Sequence, residues 1–236
     1  MKILNCASIL SLQAPDLLTK FKNEQILTLS PLSDEKLSGE FIKCEIGAQS
    51  YVFALLCMAL PNLNEAQKAF FDELDEAFMS AECNVGDEEI EILSEFLHGC
   101  DVLIIDDALV NSHSDKANIQ SFLALLQDEY GFKILTLNGE EFRPQKSDLI
   151  EPQELDSYDG AVVFKHNQNS EFIGGAYFCA VAKISDGDEC EISTPNFTLR
   201  RKFRLDQSIK GTVAHLGFGE QSFNGYNFEL AKVSKA

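Results

Sequence analysis

Two adjacent carboxylates in this sequence have a position at which they could bind a cation. Asp106 and Asp107 close an apolar run that begins at Asp101 and is typical of a strand buried in a parallel sheet. Open α/β sheets place their ligand crevices at the carboxyl ends of strands, where paired carboxylates could hold a cation. The competing interpretation, which we favour, is that the two acids only solvate the end of the strand.

A cluster of basic side chains is the second candidate. Arg200, Arg201, Lys202 and Arg204 lie within five consecutive positions, and guanidinium groups suit a phosphate or pyrophosphate ligand. The competing interpretation is that the cluster meets the acidic half of this chain or an acidic neighbour. We favour contact with acidic groups.

Gly174 and Gly175 form a pair that could let a phosphate approach the backbone, but a lone glycine pair more often marks a bend or bulge.

The histidines are scattered and have no partner at metal-ligand spacing: His98, His113, His166 and His215. The cysteines form no C-x-x-C pair, and we predict free buried thiols at Cys6, Cys44, Cys57, Cys83, Cys100, Cys179 and Cys190. No nucleotide-binding, hydrolase or zinc-protease motif occurs. The sequence thus predicts no catalytic, cofactor-binding or metal-binding residue, and no cofactor.

Charge is distributed unevenly along the chain. The formal net charge is -19, and residues up to Tyr158 carry all of it, with 10 Lys and Arg against 29 Asp and Glu. The residues after Tyr158 are balanced, with 9 Lys and Arg against 9 Asp and Glu. Such a field disfavours nucleic acid and anionic lipid and favours a basic protein partner. The alternative is that the charge only keeps the protein soluble.

The elements that must position these residues divide into two regions. We predict an acidic Rossmann-like α/β region with parallel strands over residues 1–150 and a small β-barrel domain over residues 151–236. The predicted strands of the first region are residues 3–12, 25–29, 41–46, 101–107 and 132–137. Its predicted helices are residues 14–21, 51–60, one capped by Asn64, 87–97 and 118–130.

Short strands dominate the second region. Residues 185–188 have turn chemistry between alternating runs, which indicates a hairpin. From Phe197 to Leu205 the apolar residues share one face, with Arg201 as the exception, and polar residues share the other. Residues 212–216 and 228–233 predict two further strands.

The order of several segments resembles a known family. Residues 182–205 and 210–216, with the central Asp186-Gly187-Asp188, are similar to the start of the C-terminal barrel of molybdopterin-type oxidoreductases. Residues 47–60, 74–90 and 102–137 resemble stretches of the large iron-sulphur subunit of bacterial respiratory complex I, called NuoG, which keeps that fold without molybdenum. The resemblance covers most of the chain from about residue 40 to the end.

This resemblance implies a Rossmann-like region followed by a double-psi type β-barrel, and it extends only to the catalytically silent part of the family. The cysteine and histidine ligands of the iron-sulphur domain have no counterpart here, nor do the flavin and NADH loops of the input subunit. The implied function is a cofactor-free structural or electron-donor-docking subunit in the peripheral arm of a complex I type NADH-quinone oxidoreductase.

The implied partners are the other peripheral-arm subunits and an electron-donor protein, with no nucleic acid and no direct membrane insertion. The expected location is the cytoplasm, at the inner membrane through the complex. One alternative is a pared-down oxidoreductase module that binds a nucleotide or pterin between the two halves. Another is a split C-terminal portion of a larger subunit, although the strand after Met1 favours a natural start.

Overall fold

The computed structural model describes residues 1–236 and consists of two compact units, Met1–Leu155 and Asp156–Ala236. We call them unit 1 and unit 2. No helix in either combines the length and the apolar character that crossing a bilayer requires.

Unit 1 is built on a six-stranded sheet in the order β3-β2-β1-β4-β5-β6. Its strands are β1 (Lys2–Asn5), β2 (Gln25–Ser30), β3 (Glu40–Lys43), β4 (Val102–Ile104), β5 (Lys133–Leu135) and β6 (Glu141–Phe142). The first five run parallel, and β6 joins β5 antiparallel. The predicted parallel-strand α/β region is therefore confirmed.

Eight helices accompany this sheet. They are α1 (Leu10–Gln13), α2 (Pro15–Lys20), α3 (Gln49–Met58), α4 (Glu65–Asp72), α5 (Glu76–Cys83), α6 (Asp87–Leu97), α7 (Asp107–Asn111) and α8 (Lys116–Tyr130). The predicted cap of α4 is present as a capping box, in which Asn64 Oδ1 accepts from the Gln67 N–H at 2.9 Å and Gln67 Oε1 accepts from the Asn64 N–H. Helix α8 ends at Gly131, whose φ of 76° is one that glycine adopts without strain.

Four predicted strands are shorter than the sequence indicates. Those predicted over residues 41–46 and 132–137 extend only over Glu40–Lys43 and Lys133–Leu135, and the other two end at an identifiable polar group. The strand predicted over residues 3–12 ends at Asn5, because the Asn5 side-chain amide bonds both the N–H and the C=O of Ala7 and turns the chain. The strand predicted to reach Asp107 ends at Ile104, because Asp106 caps α7.

Unit 2 contains seven strands and the short helix α9 (Ala176–Ala182). The strands are β7 (Val162–His166), β8 (Phe172–Gly174), β9 (Glu189–Ser193), β10 (Thr198–Leu205), β11 (Val213–Gly217), β12 (Phe228–Leu230) and β13 (Lys232–Lys235). They pair in the order β12-β7-β11-β8-β10-β9-β13.

This second sheet is curled into a half-barrel. Strands β12 and β13 stand at opposite ends of the pairing order, yet only Ala231 separates them along the chain. The Ala231 N–H donates to the Ala161 carbonyl at 2.8 Å, beside β7. One bent segment thus supplies both edge strands of the sheet. The sheet must curve for its two edges to meet at this segment. The β-rich character predicted for this region is confirmed at this level.

Two sequence predictions in unit 2 are wrong in detail. Residues 185–188 do form a turn, with Gly187 at φ 82°, but it joins α9 to β9 and is not a hairpin between strands. The single strand predicted over residues 228–233 is broken at Ala231 into β12 and β13, because its two halves pair with different neighbours. The predicted alternation along β10 is confirmed, with Phe203 buried and Arg200, Lys202 and Arg204 exposed.

Candidate functional site

The strand order of unit 1 creates a topological switch point between β1 and β4. From β1 the chain proceeds outward to β2 and β3, and then returns to β4 on the other side of β1. In sheets of this kind a ligand crevice lies beside the carboxyl ends of the two central strands. Asp106 follows the end of β4, so the sequence-predicted acid does lie at this edge.

The Asp106 carboxylate is engaged by groups of this chain. It is buried, and its Oδ1 accepts from the N–H of Ala108 at 2.9 Å as the cap of α7. Its Oδ2 accepts from Gln13 Nε2 at 3.0 Å, and the same Gln13 amide donates to the Ser8 carbonyl at 2.6 Å. Gln13 therefore bridges the two central strand ends.

Asp107 does not act together with Asp106. It lies in the first turn of α7 and is exposed. The pKa of the Asp107 carboxyl is raised, mainly because neighbouring groups still shield this exposed side chain from part of the solvent. No group of three or more His, Cys, Asp or Glu side chains is arranged to hold a metal ion. The two carboxylates thus have separate surroundings, one as a helix cap and one in a solvated turn.

The segment that follows β1 occupies the place where a phosphate-binding loop would lie. Ile9 has φ 48° and ψ 63°, a left-handed conformation that β-branched residues rarely adopt. Asp34, beyond β2, accepts from the Ser11 N–H and the Ser11 hydroxyl, both at 2.7 Å. Ser30 donates to Ser8 at 3.2 Å. These bonds pull the segment onto the sheet edge, so the polar groups of the switch point bind one another.

A small open cleft is lined by β2, by the connection from β2 to β3 and by the start of β3. Its volume is about 80 Å³, and Thr28, Asp34, Leu37 and Phe41 are among the residues that line it. Pockets for drug-sized ligands are typically about 300–1,000 Å³. This cleft therefore suits a few water molecules or one small group.

The cysteines behave as predicted. All seven are free, and all except Cys179 are buried. Burial raises the pKa of the Cys83 thiol to about 11 and raises the pKa of Cys6 and Cys57 still more strongly. Such thiols are protonated near neutral pH and are poor ligands and nucleophiles.

The basic cluster of unit 2 is divided between two faces of β10. Arg200 Nη2 lies 3.0 Å from Glu191 Oε2 across the β9–β10 ladder, and Arg204 lies within 4 Å of Glu171 and Asp206. Arg201 lies on the opposite face, and its buried Nε has no hydrogen-bond partner. The exposed arginines thus meet acids of their own unit, and the four side chains do not converge on one phosphate-sized site.

The glycine pair serves packing. A Cβ on Gly175 would lie 1.9 Å from the Ile209 carbonyl oxygen, and one on Gly174 would lie 3.0 Å from the Ala214 Cβ. Only glycine allows these close approaches, which favours the bend over the phosphate turn.

Two of the four histidines, separated by 49 positions in the sequence, come together in unit 2. His166 on β7 and His215 on β11 flank Phe164, with ring centroids 6.4 and 6.0 Å from the Phe164 ring. Burial lowers the pKa of each histidine to about 4, and His215 contributes to the shift of His166. Both rings are neutral at pH 7. His98 instead packs edge-on against Tyr130, 5.0 Å between centroids.

A buried lysine is the feature of unit 2 that sequence reasoning missed. Lys165 is 0% exposed, and its Nζ donates to the Asn224 carbonyl at 3.1 Å and lies 3.5 Å from Glu229 Oε2. The rings of Phe223 and Phe197 lie 5.1 and 5.9 Å from the same nitrogen. Burial lowers the pKa of Lys165, and Glu229 opposes that shift.

This lysine ties a loop to the half-barrel. Lys165 points to the same face as Val163 of β7 and meets Glu229 of β12, while Phe223 and Asn224 belong to the segment that joins β11 to β12. A lysine inside the apolar run 161–166 was the only sequence signal of this arrangement. Because burying an unpaired charge is expensive, the chain supplies a carboxylate, a carbonyl and two rings to it.

No protein-family model matches this chain, and no curated protein matches it significantly.

Proposed function

We propose that this protein is a cofactor-free structural or electron-donor-docking subunit in the peripheral arm of a complex I type NADH-quinone oxidoreductase. The proposal starts from the ordered resemblance to the large iron-sulphur subunit, described above. The observation that supports it most is the state of the switch point in unit 1. Gln13, Asp106, Ser11 and Asp34 bond one another at the edge where a related enzyme would bind a nucleotide.

The finer fold assignment is part of this proposal. We propose that unit 2 is related to the double-psi barrel of molybdopterin-type oxidoreductases. Its curled mixed sheet supports this relation, as does the turn at Asp186-Gly187-Asp188 before β9. An experimental structure in which the strands of unit 2 formed an open, flat sheet would contradict it.

The docking function draws on the charge of unit 1. Helices α4 to α6 and their connections, residues 65–97, carry 11 Asp and Glu against the single Lys68. A field of this sign speeds encounter with a basic protein and repels an acidic one. A basic region on a neighbouring subunit or donor is therefore the partner that this surface fits.

Deletion of the protein from its host tests the assignment to complex I. We expect membranes without it to lose electron transfer from the physiological donor to quinone, while the iron-sulphur clusters of the remaining subunits stay detectable by electron paramagnetic resonance. Normal quinone reduction by such membranes would refute the proposal. Extraction of the native protein with denaturant provides a second test, because one equivalent of flavin, nucleotide or pterin per chain would favour the oxidoreductase module instead.

Charge reversal on the surface of unit 1 distinguishes a docking role of this protein from a purely structural role. Glu88, Glu91 and Glu95 form an exposed stripe on α6, and replacing all three with lysine reverses its charge. If the protein docks a basic donor, we expect assembly to persist while electron input falls about tenfold or more, most strongly at low salt. The matched control reverses three exposed acids outside this region: Asp16, Glu35 and Glu141. Equal activity of the two variants would argue against docking and would leave the structural role as the only one supported.

A further inference from the structure

The last residues of unit 1 lie along α8 without forming a helix or strand. This segment, residues 143–155, follows β6 and leads to the start of unit 2, and we call it the linker strap. Its Ser147 N–H donates to Ser121 Oγ at 3.1 Å, and its Ile150 N–H donates to Asn118 Oδ1 at 3.3 Å. Side chains of α8 thus satisfy the backbone of the strap.

The side chains that bind the strap form a polar stripe on α8. Asp115, Asn118 and Ser121 are spaced by three residues, so they lie on one side of the helix. Their exposed fractions are only 3%, 0% and 3%. Polar groups on a helix normally face water. Their burial here requires the strap, because the strap covers them and supplies hydrogen-bond partners.

Asp115, at the start of the stripe, is less well satisfied than its neighbours. Its Oδ1 accepts from Asn118 Nδ2 at 2.8 Å, whereas its buried Oδ2 has no well-formed hydrogen bond. Ser50 of α3 faces this carboxylate, and the Ser50 hydroxyl is also buried without a well-aligned partner. The backbone of Gln153 in the strap faces the same carboxylate.

No charged group acts on the Asp115 carboxyl itself, whereas acids surround the neighbouring Tyr51. Tyr51 of α3 lies within electrostatic range of Asp115, of Glu82 on α5, and of Glu151 and Glu154 on the strap, and each of them raises the pKa of the phenol. None of the groups that act on the Asp115 carboxyl is cationic. A negative Asp115 is thus buried without a cation to offset it. The strap itself carries three acids, Asp148, Glu151 and Glu154, against Arg143 and Lys146.

Two further neighbours are His113, on the loop before α8, and Lys116, whose Nζ donates to the Asn111 carbonyl at 3.0 Å. The Nδ1 of His113 accepts from the Asp115 N–H at 3.0 Å, and its Nε2 lies 3.0 Å from the Gly47 carbonyl oxygen. The imidazole therefore orders the backbone at Asp115 and is aligned with backbone groups on both sides.

We propose that the linker strap is an acid-fastened latch, in which a proton taken up by Asp115 fastens residues 147–153 to α8 and its release loosens them. Protonation removes a negative charge that is buried with no cation to offset it. The function would be to set how firmly the segment leading to unit 2 is held.

The direction of the pH effect follows from the pKa of Asp115. Burial raises it from 3.8 to about 6 while the strap is closed, although Ser50, Asn118 and Gln153 oppose the shift. Opening the strap exposes the carboxyl to water and returns its pKa toward the ordinary value. Protonation thus favours the closed strap, and this advantage is lost as the pH rises through about 6.

Hydrogen exchange of the full-length protein tests the latch. Protection factors, which are the intrinsic exchange rates divided by the measured rates at each pH, are compared at about pH 7.5 and pH 5.0 for the Ser147 and Ile150 amides. We expect protection to rise about tenfold at the lower pH, since one pKa unit is a tenfold change in the equilibrium. The Leu103 amide in β4 reports unfolding of unit 1 as a whole, and its protection should exceed that of the strap amides at both pH values.

The variant Asp115→Asn mimics the protonated acid. We expect its strap amides to have the acid level of protection already at about pH 7.5 and to lose their pH dependence. Asp72→Asn, which removes an exposed carboxylate of unit 1, is the matched control and should behave like the wild type. Unchanged strap protection between the two pH values would overturn the proposal, as would strap protection equal to that of Leu103, or weaker protection in Asp115→Asn. If Asp115→Asn does not fold, the wild-type comparison still decides.

Discussion

The two units of this protein accommodate charge in different ways. Unit 1 has 28 Asp and Glu against 10 Lys and Arg and leaves most of its acids on the surface. Unit 2 has 10 against 9 and pairs them, across strands as in Arg200–Glu191 or inside the half-barrel as in Lys165–Glu229. We therefore expect the stability of unit 1 to respond more to salt, and that of unit 2 to depend on individual buried and paired groups.

The largest effect that would break this comparison concerns Lys165. We expect Lys165→Met to destabilise unit 2 by about 3–5 kcal/mol, because Glu229 would remain largely buried without its cation. Urea unfolding followed by circular dichroism measures the change. The double variant Lys165→Met/Glu229→Leu is the control, since it removes both charges and should recover most of the loss. A single variant as stable as the wild type would show that the pair does not support unit 2.

Acid should act on the two units in opposite directions. The pKa values of His166 and His215 are lowered to about 4 in the folded state, so the stability they contribute is present above about pH 6.5 and is lost as the pH falls toward 4. Between about pH 7.5 and 5.0 this loss is about 2 kcal/mol for each ring. The pKa of Asp115 is raised in the folded state, so the same fall in pH should increase the free energy of unfolding of unit 1 by about 1 kcal/mol.

Hydrogen exchange of core amides distinguishes these responses, with Ile134 reporting on unit 1 and Val163 on unit 2. The double variant His166→Gln/His215→Gln should flatten the response of unit 2 and leave that of unit 1 unchanged. Parallel losses in both units, in the wild type, would contradict the assigned pKa shifts.

Salt should produce the smallest difference. We expect about 1 kcal/mol of stabilisation of unit 1 between about 0.02 and 0.5 M sodium chloride, because screening weakens repulsion among its unpaired acids, and little change in unit 2. The same two core amides report the effect. Glu88→Gln/Glu91→Gln/Glu95→Gln should reduce the salt response of unit 1. A larger response at Val163 than at Ile134 would reverse the comparison.

Local sequence patterns predict much of unit 1 because its elements depend on neighbours along the chain. The helical spacing of Ile119, Phe122, Leu123 and Leu126 predicts α8, and all four side chains are fully buried. Asn64 predicts the start of α4 because a helix N-terminus needs an acceptor nearby in sequence. The polar side of α8 gives no such signal, since its burial depends on a strap some thirty residues away.

The candidate sites were harder to predict because they depend on distant segments. Asp106 was placed correctly at a strand end, but its bond to Gln13 joins residues 93 positions apart. The pairing of Lys165 with Glu229 depends on β12 lying beside β7. The resemblance to complex I subunits stays a prediction, and so do the partners and the location that it implies.

The sequence by itself determined the alternation of helices and strands, the free thiols, and the concentration of negative charge before residue 159. These properties follow from composition and from residues within one or two turns of each other. Only the tertiary structure decided which polar groups meet: Gln13 with Asp106, the linker strap with α8, and Lys165 with Glu229. The physical reason is that a buried polar group must find a partner, and strand order and loop path, not sequence distance, determine which partner is in reach.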